Sequence, residues 1–192
     1  LSSPAEKVAM LEALGVDRVE VLDFTRDFAA MTAEEYLVDI VRDRFGGTAV
    51  LLGYDNRLGS DQLDPPQIRQ LAGRLGMDVI VVPPASLGGG ELIVSSTKIR
   101  AALSEGRVED AAAMLGYEYP VSGVVVGGKQ LGRTIGFPTA NMQLYEPLKM
   151  IPQRGVYLSE VETVGRRFYG MTNVGDIIET NIFGFSEDIY GL

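Results

Sequence analysis

The chain has 192 residues, 46% of them hydrophobic and 22% charged, which predicts a soluble globular protein with one large domain or two small ones. A net charge of −9 argues against long nucleic acid as a partner, because phosphate-backbone binding needs a basic face. The absence of cysteine and histidine excludes disulfides, thiolate and imidazole metal sites and Ser-His-Asp chemistry, leaving a carboxylate, lysine or tyrosine as any general base.

Ser3-Pro4-Ala5-Glu6 predicts a helix start, with Ser3 as N-cap, Val8, Leu11 and Leu14 as a buried stripe and Gly15 as the stop. Residues 1–10 thus read as an amphipathic helix and not a signal peptide. No apolar run approaches the ~20 residues of a membrane helix, so no membrane partner is expected, and the lack of cysteine fits a cytoplasmic protein. Arg18 to Phe24 reads as a strand. Thr32-Ala33-Glu34-Glu35 is a second capping box, opening a helix with Tyr36, Leu37, Ile40, Val41 and Phe45 inward and Gly46-Gly47 at its end. Thr48 to Leu52 reads as a strand buried on both faces if its sheet is parallel. Pro65-Pro66 opens a helix with Ile68, Leu71 and Leu75 inward, and Asp78 to Val82 is a further strand. Alternating helices and strands predict a parallel, Rossmann-like sheet whose ligands sit at the carboxyl ends of its strands.

Lys98 to Leu115 predicts two short helices broken at Gly106, and residues 116–120 a linker. Beyond it the pattern turns to strands at Val121–Val126, Gly155–Val164, Arg166–Met171 and Glu179–Phe185, with no helix. That predicts a small antiparallel β-barrel.

Three segments carry candidate chemistry. Gly53-Tyr54-Asp55-Asn56-Arg57 follows a strand, so Gly53, Asp55 and Arg57 are placed where a ribose or phosphate could be held; a simple turn with a satisfied aspartate explains them equally well. Ser95-Ser96-Thr97 at a helix start offers hydroxyls and free N–H groups to a phosphate, with Arg100 one turn on. An ordinary N-cap followed by a surface arginine is the alternative. The third segment runs from Gly127 to Asn141. Its glycines (Gly127, Gly128, Gly132 and Gly136) let backbone approach a ligand, Lys129 and Arg133 bring positive charge, and Pro138 follows Phe137. Thr139 and Asn141 then present a hydroxyl and a carboxamide, oxygen donors suited to a hard cation such as Mg²⁺.

The run G-G-x-x-x-G-R-x-x-G-F-P-T-A-N from Gly127 to Asn141 resembles the flavokinase motif of riboflavin kinases. Ser95-Ser96-Thr97-Lys98-Ile99-Arg100 resembles the S-S-T-x-I-R motif of the flavin adenylyltransferase module, and the order of the two is that of bacterial bifunctional riboflavin kinase/FAD synthetases. The resemblance implies an FMN adenylyltransferase domain over 1–115, lacking its front part, and a riboflavin kinase domain over 116–192, lacking its end. It implies ATP as co-substrate with Mg²⁺, phosphorylation of riboflavin to FMN, and adenylylation of FMN to FAD. Within it, Thr139 is the Mg²⁺ ligand with Asn141 close by, the 127–136 loop takes ATP phosphates, and Glu179 matches the catalytic base.

Some features depart from the family. Asn181 stands where a histidine is common, the histidine-bearing turn that grips ATP is not present, and Gly175 runs directly into Asp176 where an R-P-T segment is usual. These departures predict that the sequence is part of a longer protein, which an intact mass above 20.8 kDa would confirm. They also leave a rival reading, a non-catalytic flavin- or nucleotide-binding module derived from such an enzyme.

Overall fold

The structure, a computed structural model, describes residues 1–127 and 139–182. Gly128, Lys129, Gly132, Arg133, Gly136, Phe137 and Pro138, and the part of the last expected strand beyond Ile182, lie outside the described residues. The chain forms two compact units, one of residues 1–15 with 94–192 and the other of residues 16–93.

In the second unit, Thr25 caps helix α2 (Arg26–Ala30), its hydroxyl accepting from the Phe28 amide at 3.1 Å. Thr32 caps α3 (Ala33–Glu35), which continues as wider π-helical turns over Tyr36–Arg44. The capping box is reciprocal: the Glu35 carboxylate accepts from the Thr32 amide at 2.7 Å. Strand β1 (Ala49–Gly53) pairs in parallel with β2 (Asp78–Val82) through α4 (Pro65–Arg74), the expected Rossmann-like βαβ connection. The core is made by Leu37, Leu52, Ile68, Leu71 and Met77. A minor hairpin of β3 (Ser86–Leu87) and β4 (Leu92–Ile93) ends this unit.

Four expectations fail here or in the first helix. Residues 18–24 form no strand. A strand needs a ladder partner, and among the described residues β1 and β2 pair only with each other. The apolar side chains are spent instead on an aromatic chain, Phe24 edge-on to Phe28 at 5.6 Å and Phe28 edge-on to Tyr36 at 6.0 Å. Phe45, expected inward, is exposed and takes up the Arg18 and Arg44 guanidinium groups over its ring. Strand β1 is covered on one face only: Leu52 is buried while Leu51 is 66% exposed, because α4 packs on one side.

In the first unit, α1 (Pro4–Ala13) starts as expected at Ser3. Its predicted apolar stripe is not buried, however, and Leu14 is 82% exposed. A polar anchor holds the helix. Glu6 completes the capping box with Ser3 and also accepts a 2.8 Å hydrogen bond from the Lys149 ammonium, whose side chain is only 3% exposed. Lys149 lies 4.6 Å from the centre of the Tyr119 ring, and the Tyr119 hydroxyl sits between the carbonyls of Leu1 (3.0 Å) and Met150 (2.8 Å). The expected linker is thus pinned at Tyr119. Helices α5 (Ser96–Ser104) and α6 (Val108–Leu115) break at Gly106, as expected, and pack through Ile99, Leu103 and Ala111. Gly116 closes α6 in the left-handed region (φ 80°).

The remaining strands are β5 (Gly123–Val126), β6 (Ala140–Leu144), β7 (Gly155–Thr163), β8 (Arg166–Val174) and β9 (Ile178–Ile182). They form an antiparallel sheet in the order β5-β6-β9-β8-β7. The all-antiparallel expectation holds, with β6 an additional strand beyond those expected. Val174, Ile178 and Thr180 are buried on one face, where the Thr172 and Thr180 hydroxyls meet at 2.9 Å.

Removing one partner of a buried ion pair leaves the other uncompensated, so Lys149→Met should destabilise the protein by about 3 kcal/mol in urea titration. The pH dependence has two arms. Burial pushes the Glu6 carboxyl up, but the Lys149 and Ser3 hydrogen bonds outweigh it and hold it net below its ordinary 4.5. Its contribution is therefore present above that pH and lost as pH falls below it, and Glu6→Gln should flatten the acid arm. Burial, then the Glu6 charge, pushes the Tyr119 hydroxyl from 10.0 up to about 12. Its contribution is present below pH 10 and lost toward 12, and Tyr119→Phe should remove that alkaline arm in a pH-resolved melt.

Candidate active site

The antiparallel register assembles the phosphoryl-transfer candidates. Asn141 on β6 lies directly opposite Glu179 on β9, and Glu179 lies directly opposite Asn173 on β8. Continuing outward, Val126 on β5 pairs with Asn141 and Val156 on β7 pairs with Asn173. Directly opposed residues project from the same face with Cβ atoms about 5 Å apart. One row therefore carries Val126, Asn141, Glu179, Asn173 and Val156. A second row, two residues along on the same face, carries Asn181, Met171 and Leu158. Carrying the β6–β9 register one residue beyond its last pair sets Thr139 against Asn181. The candidates Asn141 and Glu179, far apart in sequence, thus fall on one patch, with Thr139 two residues before Asn141, just ahead of β6.

The patch is graded in exposure. Asn141 is 7% exposed, Thr139 and Glu179 are half-buried, and Asn173 is exposed. Gly127, which follows β5, and Thr139, which leads into β6, bound the candidate phosphate segment. No cluster of three or more acidic residues able to hold a metal exists among the described residues. The oxygen donors on offer are the Thr139 hydroxyl, the Asn141 carboxamide and the single Glu179 carboxylate, a hard donor set that fits Mg²⁺ better than a softer metal.

The adenylyl candidates fall in both units and are described within each. In residues 16–93, Gly53 ends β1 at its carboxyl edge, as expected, opposite Val82. A β-carbon there would come within 3.0 Å of the Asn56 side chain, so the following turn packs tightly on the strand end. Asp55 is in this turn, and Arg57 pairs with Asp64, the N-cap of α4, at 3.7 Å. In the other unit, Ser95 is the N-cap of α5, its hydroxyl accepting from the Lys98 amide at 3.3 Å. Ser96, Thr97 and Arg100 are exposed, while Ile99 between them is buried and fixes which side of the helix faces outward.

Two cavities of about 220 and 280 Å³ lie beside α1 and Lys149. None of the predicted site residues lines either one.

The position of Glu179 depends on close backbone contact between β8 and β9. A β-carbon on Gly170 would lie 2.8 Å from the Asn181 carbonyl and 2.9 Å from the Thr180 methyl. Gly170→Ala should therefore push β9 away and cost about 1–3 kcal/mol, read from the shift of a denaturation midpoint.

The fold and site can be set beside known proteins. The family model described as FAD synthetase matches residues 1–98, and that described as riboflavin kinase matches residues 115–192. Proteins named bifunctional riboflavin kinase/FMN adenylyltransferase are similar along almost the whole chain. That of Escherichia coli K12 is 34% identical over 197 residues, covering 97% of this chain and 62% of its own, and that of Listeria monocytogenes is 34% identical over 205 residues, covering 100% and 62%. The Bacillus subtilis protein of the same name is 31% identical over 206 residues, covering 100% and 63%. A crystal structure from Streptococcus pneumoniae, described as a macrolide-efflux protein, superposes with a TM-score of 0.87 at 34% identity, over 97% of this chain and 62% of that one. Among the described residues of this chain no helix is long and apolar enough to cross a membrane. The chain spans about 62% of the length of the curated relatives it matches. With both family models matched in the order of these relatives, the chain belongs to the family of bacterial bifunctional riboflavin kinase/FMN adenylyltransferases.

Proposed function

We propose that the protein is a cytoplasmic enzyme that phosphorylates riboflavin to FMN and adenylylates FMN to FAD, both with ATP. The observation that carries the kinase reading is the register that sets Glu179 directly opposite Asn141, beside Thr139. Phosphoryl transfer depends mainly on positioning and charge neutralisation, and this patch supplies one carboxylate flanked by neutral oxygen donors. Glu179 accepts the proton of the riboflavin 5′-hydroxyl as that oxygen forms its bond to the γ-phosphorus of ATP. The bond from the γ-phosphorus to its bridging oxygen breaks, and ADP leaves. Thr139 and Asn141 would hold Mg²⁺, which supplies charge neutralisation at the phosphates. Gly127, Gly128, Lys129, Gly132, Arg133, Gly136, Phe137 and Pro138 form the segment proposed to hold the ATP phosphates.

In the adenylyl reaction, the FMN phosphate attacks the α-phosphorus of ATP and pyrophosphate departs. Ser95, Ser96, Thr97 and Arg100 are proposed to bind the nucleotide phosphates, together with Gly53, Asp55 and Arg57. The outward setting of Ser96, Thr97 and Arg100 at the start of α5 supports this, since a helix N-terminus favours an anion. The functional division is placed at 1–115 for adenylylation and 116–192 for the kinase. The compact units cross it, because residues 1–15 and helices α5 and α6 group with the β-sheet.

A turnover assay of the full-length enzyme with riboflavin, ATP and Mg²⁺, resolving riboflavin, FMN and FAD by chromatography, tests both halves. FMN followed by FAD is expected. Flavin binding without any product would establish the non-catalytic module instead. Glu179→Gln should lower riboflavin phosphorylation by about 10²–10⁴-fold, the range for loss of a positioned base, and leave FMN adenylylation intact. Unchanged kinase turnover would remove Glu179 as the base. Thr139→Ala should likewise cut kinase activity alone, whereas parallel loss of both activities would point to unfolding. Arg100→Ala should do the reverse, and an unchanged adenylylation rate would take Arg100 out of that site.

A further inference from the structure

Asn173 stands on this sheet face but is none of the candidate site residues. It lies directly opposite Glu179 across the β8–β9 ladder, the mirror of Asn141 on the β6 side. The proposed base is thus flanked by a carboxamide on each neighbouring strand. The two differ in access: Asn141 is buried and Asn173 is exposed.

Sheet stability does not ask for an asparagine there. Asparagine is depleted from strands, and the neighbours of Asn173 on the same face of β7 and β8 are apolar: Val156 directly opposite, Met171 two residues back and Leu158 diagonally across. The side chain stands at the carboxyl end of β8. Its Nδ2 lies 3.9 Å from the point a β-carbon on Gly175 would occupy, so a glycine is what borders it there. A carboxamide donates and accepts at once, which suits a chain of hydroxyl groups, and Gly127 and Thr139, which flank the proposed phosphate-binding segment, adjoin β5 and β6 on the other side of Glu179 from β8.

We propose that Asn173 is a substrate-holding residue of the kinase site, hydrogen-bonding the polyhydroxyl chain of the acceptor so that its terminal hydroxyl stands at Glu179. The inference rests on the reading of Glu179 as base and deepens it: Asn141 serves the phosphate side of the reaction and Asn173 the acceptor side.

The test uses the full-length enzyme with Asn173→Ala, Asn173→Asp and, in parallel, Glu179→Gln. Riboflavin affinity is read from the change in flavin fluorescence, and KM and kcat are measured for riboflavin and for ATP. Asn173→Ala should weaken riboflavin binding about tenfold, the usual cost of one lost hydrogen bond, with the KM for ATP and the melting temperature unchanged. Asn173→Asp keeps the size of the side chain but loses the Nδ2 donor, so it too should weaken riboflavin binding while the KM for ATP stays unchanged. Riboflavin affinity unchanged in Asn173→Ala overturns the proposal, as does a weaker affinity that comes with an equal loss for ATP and a lowered melting temperature. If Asn173→Ala does not fold, an unchanged riboflavin affinity in Asn173→Asp overturns it. Failure of the base reading is distinct: it is full kinase turnover in Glu179→Gln, and the riboflavin affinity of Asn173→Ala is read independently of it.

Discussion

The pairing of β6, β9 and β8 is the constraint from which the kinase patch follows. Side chains in a strand alternate between faces, so a slip of one residue between β6 and β9 would turn Glu179 away from Asn141 and onto the packed face. The packed face prevents this. Val174, Ile178 and Thr180 are buried there, and the Thr172 and Thr180 hydroxyls bond across the β8–β9 ladder. A slipped register would bring Glu179 inward and Ile178 outward, exposing apolar surface and burying a charge together. The same alternation that builds the core therefore aims the reactive face. Gly170 makes the close strand approach possible, since any side chain there would meet the backbone of β9.

What could be read from the sequence was what local chemistry decides. The caps at Ser3, Thr32 and Ser95 stand where their spacing put them, because each is closed by a residue three positions on. Gly106 and Gly116 break the helices for the same local reason. Features that depend on a distant partner were not legible. Residues 18–24 have strand-like composition, but composition does not supply a neighbouring strand. Leu11 and Leu14 have helical spacing, yet α1 is held by Lys149, 143 residues from Glu6. Strand β6 was hidden because Thr139 and Asn141 were weighed as ligands and turn formers, and not as alternate positions of an extended segment. Glu179 was found through family resemblance alone. Asn173 falls in the Asn-Val-Gly run just before the point where an R-P-T segment is usual, but its place opposite Glu179 is fixed by a β8–β9 register that no local pattern encodes.

The division into units separates two senses of domain. The family models meet between residues 98 and 115, within α5 and α6, whereas the compact units part near residues 15 and 93. The Ser95–Arg100 segment accordingly belongs by descent to the adenylyl half and by packing to the unit that holds the β-sheet. Ile99 secures it there through the core it forms with Leu103 and Ala111.

The contact between Glu6 and Lys149 also orders events on the ribosome. Residues 16–93 form an uninterrupted stretch with their own core, so they can fold as soon as they emerge. Helix α1 emerges before them but has neither its ammonium partner nor the Tyr119 clamp until well over a hundred further residues have been made. Its apolar side chains bury little in the finished protein, so waiting exposes little that is not exposed at the end. Helix α1 is thus fastened well after it is made, and its polar anchorage makes the delay safe.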